Sequence, residues 1–180
     1  MKIITKILVA VAIVLLLPVL IGFFLPRERQ IERRDVIDQM YFYVLGNITN
    51  HWEEASWRHN LDTMIQVENP DGRDTWVEYY TNGDSVKLVT ETVGESDYIR
   101  WIVRPDGREL LRSIVLHDYE GRTAIRMVEE SYEPDPIKRF IALISDPTAK
   151  RIEEYLSDLK AKAIQQNEEM NSGDDDFFDF

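Results

Sequence analysis

The chain has no cysteine among its 180 residues. That excludes a disulfide, a thiolate nucleophile and a cysteine-bearing zinc site. Histidine is scarce too, with three in all: His51, His59 and His117. Basic residues are outnumbered, 21 Lys and Arg against 33 Asp and Glu, for a net charge of −12. Nucleic acid is therefore not expected as a partner, because such binding rests on Lys and Arg neutralising phosphates. The sequence has neither a Gly-x-Ser-x-Gly elbow nor a phosphate-binding glycine loop. His51, His59, Glu53 and Glu54 match no metal-ligand phrase such as His-Glu-x-x-His. No metal, cofactor or catalytic residue is assigned from the sequence.

One long hydrophobic run is present. Ile7–Pro26, "ILVAVAIVLLLPVLIGFFLP", is twenty residues without a charge. At 1.5 Å per residue such a run spans a hydrocarbon core of ~30 Å. It ends in Phe23-Phe24-Leu25-Pro26, which offers no small-x-small cleavage site, so it reads as a retained anchor rather than a signal peptide. The lipid bilayer is the partner expected for Ile7–Pro26, as a single-pass membrane protein. Lys2 and Lys6 precede the run, and Arg27, Arg29, Arg33 and Arg34 follow it. The count favours a cytoplasmic domain, yet a short basic start also suits an exported signal-anchor, and the side stays open. The expected divisions are an anchor over 1–26, one domain over 27–167 and an acidic disordered tail over 168–180.

Beyond the anchor, a strand is predicted around Ile31–Ile37 and a short helix near Met40–Ile48. The stretch "NHWEEASWRHN" follows, and is expected to be a loop. Six strands are then predicted, separated by turn chemistry such as Asn82-Gly83: Leu61–Glu68, Thr75–Tyr80, Ser85–Val93, Tyr98–Val103, Leu110–Tyr119 and Arg122–Glu130. Alternation assigns Val86, Leu88 and Thr90 to one buried face, with Ile99, Trp101 and Val103, then Leu111, Ser113, Val115, His117 and Tyr119, then Ile125 and Met127. Arg100, Arg112 and Arg126 fall on the opposite, wet face. Asp135 is a natural N-cap and Pro136 suits the first helical position. One long helix is expected from there, kinked at Asp146-Pro147. Its apolar stripe, Ile137, Phe140, Ile141 and Ile144 and then Ile152, Tyr155, Leu156, Leu159 and Ala163, is expected to cover the apolar sheet face.

That order of elements resembles the START-like superfamily, also called SRPBCC or Bet v 1-like, which includes the polyketide cyclase/dehydrase group. "ERRDVID" resembles its first strand, and "NITNHWEEASWRH" a segment ending in a Trp-x-Pro-Trp-like pattern. "GRTAIRMVEE" resembles its last strand, "PDPIKRFIAL" the opening of its final helix, and "FFLPRE" the anchor end of bacterial members. Gln39-Met40 stands where the family has Ala-Pro, and Pro147 interrupts the last helix. The likeness spans Pro26–Ile164. It implies an α+β helix-grip, a curved antiparallel sheet around a long C-terminal helix with an apolar cavity between them, here preceded by one transmembrane helix.

Trp52, Trp57, Leu88, Thr90, Trp101, Ser113, Val115, His117, Tyr119, Met127, Phe140 and Ile144 are the candidate lining of that cavity. Trp52 and Trp57 suit either a core wall or a ligand contact. His117 beside Tyr119 is the one acid–base pair the reading offers for catalysis. The expected function is a membrane-anchored binding protein for a lipophilic small molecule or lipid. The alternatives are a cyclase/dehydrase-like enzyme using the same cavity, and a membrane-tethered interaction module acting through the wet face or the tail "DDDFFDF".

Overall fold

The computed structural model describes residues 2–94, 97–104, 107 and 109–173. Helix α1 (Lys2–Phe24) leads into strand β1 (Glu28–Ile37) and two short helices, α2 (Tyr41–Thr49) and α3 (His51–Trp57). Six strands follow: β2 (Leu61–Gln66), β3 (Thr75–Tyr80), β4 (Ser85–Val93), β5 (Asp97–Val103), β6 (Glu109–Tyr119) and β7 (Arg122–Tyr132). Helices α4 (Pro136–Ser145) and α5 (Pro147–Gly173) close the described chain. The strands form one antiparallel sheet in the order β1-β7-β6-β5-β4-β3-β2. The predicted meander is thus present, and β1 closes it by pairing with the last strand. The segment expected to be a loop after residue 50 forms α3. The predicted 168–180 tail begins within α5, and residues 174–180 lie outside those described.

Local chemistry accounts for the breaks. At the β3–β4 turn Gly83 takes a φ of 87°, the left-handed region open to glycine, and Tyr80 N–H donates to Asp84 O across it. Asp135 caps α4, its carboxylate accepting from Ile137 N at 2.8 Å and from Lys138 N at 3.4 Å. Asp146 turns left-handed (φ 34°) and ends α4, and Pro147 starts α5.

Helix α5 covers one face of the sheet with Ala149, Ile152, Tyr155, Leu156, Leu159 and Ala163, the spacing of a single helical stripe. These side chains meet Ile31, Ile37, Ile114, Leu116, Ile125 and Met127 from the sheet, and Val44 and Ile48 from α2. Each such side chain fully withdrawn from water contributes about 1.5–3 kcal/mol. A second apolar cluster, Leu61, Met64, Trp76, Leu88, Ile102 and Leu110, lies on the same face toward β2–β5.

Two assignments change. The covered side of β5 and β6 bears Tyr98, Arg100 and Ile102, then Leu110, Arg112, Ile114 and Leu116. The predicted set, Ile99, Trp101, Val103, Leu111, Ser113 and Val115, is half-exposed on the other side, with His117 and Tyr119 exposed there. Both strands are apolar on both faces, so alternation alone left the phase undetermined. Placing the arginines in water chose the wrong one.

The second change concerns α4. Its Ile137, Ile141 and Ile144 are exposed and do not cover the sheet, because α4 packs on α1. Gly22 makes that approach possible: a Cβ there would sit 1.8 Å from the Pro136 carbonyl oxygen. Helix α1 leaves Ile4, Leu15, Leu16, Phe23 and Phe24 exposed. Among the described residues no helix is long and apolar enough to cross a membrane; in α1 the side chains at 2, 8, 9, 10 and 12 are outside that description.

Candidate functional site

A charged row crosses the covered sheet face between the two apolar clusters. Strand register sets Glu129 beside Arg112, Arg112 beside Arg100 and Arg100 beside Thr90. Like charges directly opposed on neighbouring strands repel, so Arg100 and Arg112 need anions from elsewhere. Arg112 Nε donates to Glu129 Oε1 at 2.7 Å, and Arg151 of α5 pairs with the other oxygen of the same carboxylate. Helix α3 brings Glu54, whose Oε1 is 3.4 Å from Arg100 Nη2 and whose Oε2 accepts from Arg58 Nη1 at 2.8 Å. Arg58 also pairs with Glu78 of β3, which in turn accepts from the Tyr80 hydroxyl. Tyr155 of α5 lies under two guanidinium groups, 5.3 Å from Arg58 and 5.6 Å from Arg112.

The electrostatics follow from this packing. Burial pushes the Glu54 carboxyl up, but Arg100, the His51 hydrogen bond and Arg58 outweigh it and hold it at about 2. Glu78 and Glu129 are likewise lowered against their burial, by Arg58 and by Arg112 with Arg151 respectively. Burial, with the Glu78 charge beside it, pushes the Tyr80 hydroxyl up to about 12.

One end of the row is a relay. The Glu54 carboxylate accepts from His51 Nδ1 at 2.8 Å. The other ring nitrogen, Nε2, is hydrogen-bonded with the Tyr98 hydroxyl, also at 2.8 Å. Arg100 Nη2 donates to the same hydroxyl at 2.9 Å. All four side chains are buried.

The other notable feature is a pocket of about 370 Å³ beyond the second apolar cluster. Its apolar wall is Leu25 and Pro26 at the exit of α1, Leu110 of β6, and Ile141, Ala142 and Leu143 of α4. Arg139 also lines it and is almost wholly buried.

No protein-family model matches the chain, and no curated protein matches its sequence. Solved structures do match. The Zhui aromatase/cyclase from a Streptomyces species superposes with a TM-score of 0.63 at 8% identity, over 77% of this chain and 95% of its own. A Thalictrum norcoclaurine synthase point mutant, in complex with a transition-state analogue, gives 0.61 at 9% identity, over 78% and 96%. A Thermus thermophilus protein gives 0.61 at 13%, over 77% and 99%. The fold is a helix-grip, one antiparallel sheet packed against a long C-terminal helix.

Within that helix-grip the predicted lining residues scatter. Leu88, Thr90 and Met127 are on the covered face, Thr90 with its hydroxyl 3.3 Å from that of Tyr98. Trp57 is half-buried edge-on to Tyr155. Trp52 is 71% exposed, edge-on to Trp76. Trp101, Ser113, Val115, His117 and Tyr119 lie on the far side of the sheet. Phe140 is half-buried on α4 and Ile144 is 70% exposed. The row Glu54, Glu78, Arg100, Arg112 and Glu129 was missed. One signal for it was available: on β7 Glu129 shares the parity of Ile125 and Met127, and a covered carboxylate requires a covered cation.

Proposed function

We propose that this protein is a helix-grip binding protein that holds a lipophilic small molecule or lipid beside a bilayer. The pocket beneath α4 carries the reading: it is apolar, bounded by named side chains and within the size range of ligand sites. The interior proper is a poor alternative, because the charged row crosses it and α5 packs against the sheet there. The uncharged run Ile7–Pro26 and the exposed apolar residues of α1 and α4 support insertion of α1 into lipid. Leu25 and Pro26 would then put the pocket mouth at the membrane surface, where a lipophilic ligand is concentrated. The test is saturable binding of the neutral fluorophore N-phenyl-1-naphthylamine to the full chain in phosphatidylcholine nanodiscs. Binding lost in Ala142→Trp, which fills the pocket, supports the reading. No saturable binding, or binding that Ala142→Trp leaves intact, contradicts it.

A second reading, a cyclase-like enzyme, draws on the Tyr98–His51–Glu54 relay, which links a hydroxyl, an imidazole and a carboxylate. It requires a substrate to reach a buried ring. A polyketide mimic that shifts the His51 ring signals in NMR supports this reading, and unchanged signals under saturating mimic count against it.

A further inference from the structure

Each buried guanidinium of the interior row has a carboxylate partner: Glu54 and Glu78 for Arg58, Glu54 for Arg100, Glu129 for Arg112. Nε and Nη1 of Arg100 and Nη1 of Arg112 lack hydrogen-bond partners, but neither charge is unpaired. Arg139 differs. It is 7% exposed and lines the α4 pocket. Its Nη1 donates to the Leu25 carbonyl at 2.9 Å, its buried Nε has no partner, and among the described residues no carboxylate pairs with it. A guanidinium stays protonated under all ordinary conditions, and an uncompensated buried charge is costly.

The pocket's surroundings have the same sign. Lys138, Arg27, Arg29 and Arg104 join Arg139 in the lining, against Glu109 and Glu133. That is five basic residues to two acidic ones, in a chain whose net charge is −12. Arg29 is engaged by Asp146 at 2.8 Å and Arg27 reaches the Tyr132 hydroxyl at 3.4 Å, while Lys138 is exposed and has no ion pair among the described residues.

We propose that the α4 pocket takes an anionic amphiphile. Its chain lies along Leu25, Ile141, Ala142 and Leu143, and its carboxylate or phosphate pairs with Arg139, with Lys138 beside the mouth. This rests on the pocket being a lipophilic ligand site, as proposed above. A volume of about 370 Å³ is at the small end of ligand pockets and favours one acyl chain over two.

The test uses the full chain in phosphatidylcholine nanodiscs with bound N-phenyl-1-naphthylamine. Displacement by palmitate, by 1-palmitoyl lysophosphatidate and by neutral 1-monopalmitoylglycerol is compared at equal mole fraction in the bilayer. At least one anion should displace the fluorophore about tenfold or more better than the neutral lipid. Palmitate alone identifies a free fatty acid as the source, and lysophosphatidate alone a phospholipid product. In Arg139→Gln the preference should vanish, while the neutral lipid still competes and so reports an intact pocket. Equal competition by all three in the wild type overturns the proposal and leaves the lipophilic site standing. So does a preference that survives in an Arg139→Gln protein still binding the fluorophore. No fluorophore binding at all brings down both readings. If Arg139→Gln does not fold, the wild-type ratio of anion to neutral lipid decides alone.

Discussion

The two ends of the molecule, the covered sheet face and the α4 pocket, bury arginine in opposite ways. Under α5, Arg58, Arg100 and Arg112 are matched by Glu54, Glu78 and Glu129, and α5 lies over them. On α4, Arg139 has no counter-charge among the described residues and lines the pocket. A buried ionic network that is internally balanced is part of the scaffold. A buried charge left unbalanced beside a void suits a counter-charge brought by a ligand. Burial alone would not separate these cases; the bookkeeping of charge does.

The strongest way to break the comparison is to unbalance the first end. Glu129→Ala leaves Arg112 and Arg151 without their carboxylate and should destabilise the fold by roughly 3–5 kcal/mol. Urea unfolding followed by tryptophan fluorescence measures it. A loss below about 1 kcal/mol would mean the row is not the balanced network described.

Acid titrates the same end. The Glu54 carboxyl ordinarily titrates at 4.5 and is held at about 2 in the fold. Its contribution is therefore complete above pH 4.5 and is lost as pH falls from there toward 2. Glu78 and Glu129 are lowered too and act in the same direction. Stability measured against pH should show this acid limb, partly flattened in Glu54→Gln and unchanged in Arg139→Gln. An identical limb in Glu54→Gln would contradict the assignment.

Gly22→Leu probes the other end. Its added atoms collide with the Pro136 carbonyl, so α1 and α4 must separate. A cost of about 1–3 kcal/mol is expected, together with loss of fluorophore binding and an unchanged sheet signature in circular dichroism. Retained binding would show that the pocket does not depend on the α1–α4 contact.

The smallest effect is expected outside both ends. His59, exposed, pairs with Asp158 at 2.7 Å, and His59→Ala should cost no more than about 1 kcal/mol. Thermal unfolding of that variant sets the scale for surface pairs.

Much of the fold was legible. β3 and β4 have their predicted ends, because Pro70-Asp71-Gly72 precedes β3, Asn82-Gly83 separates the two and Gly94 follows β4. The α5 stripe from Ile152 to Ala163 is buried as its spacing requires. Two things were not legible, for physical reasons. Periodicity says that a face is covered but not by what, so the α4 stripe was given to the sheet when its neighbour is α1. An arginine in a strand reads as exposed until its carboxylates are known, and Glu54 reaches Arg100 from 46 residues away. The pocket has no local motif at all. Leu25 and Arg139, which meet beside it, are 114 residues apart in the chain.

The most direct test of where a ligand lies is photo-crosslinking of the full chain in nanodiscs with a diazirine-bearing palmitate, its adducts mapped by mass spectrometry. Adducts on Leu25, Ile141, Ala142 or Leu143 are the expected result. Adducts concentrated on Trp57, Tyr155 or Leu159 would place the guest under α5, within the charged interior, and contradict the account.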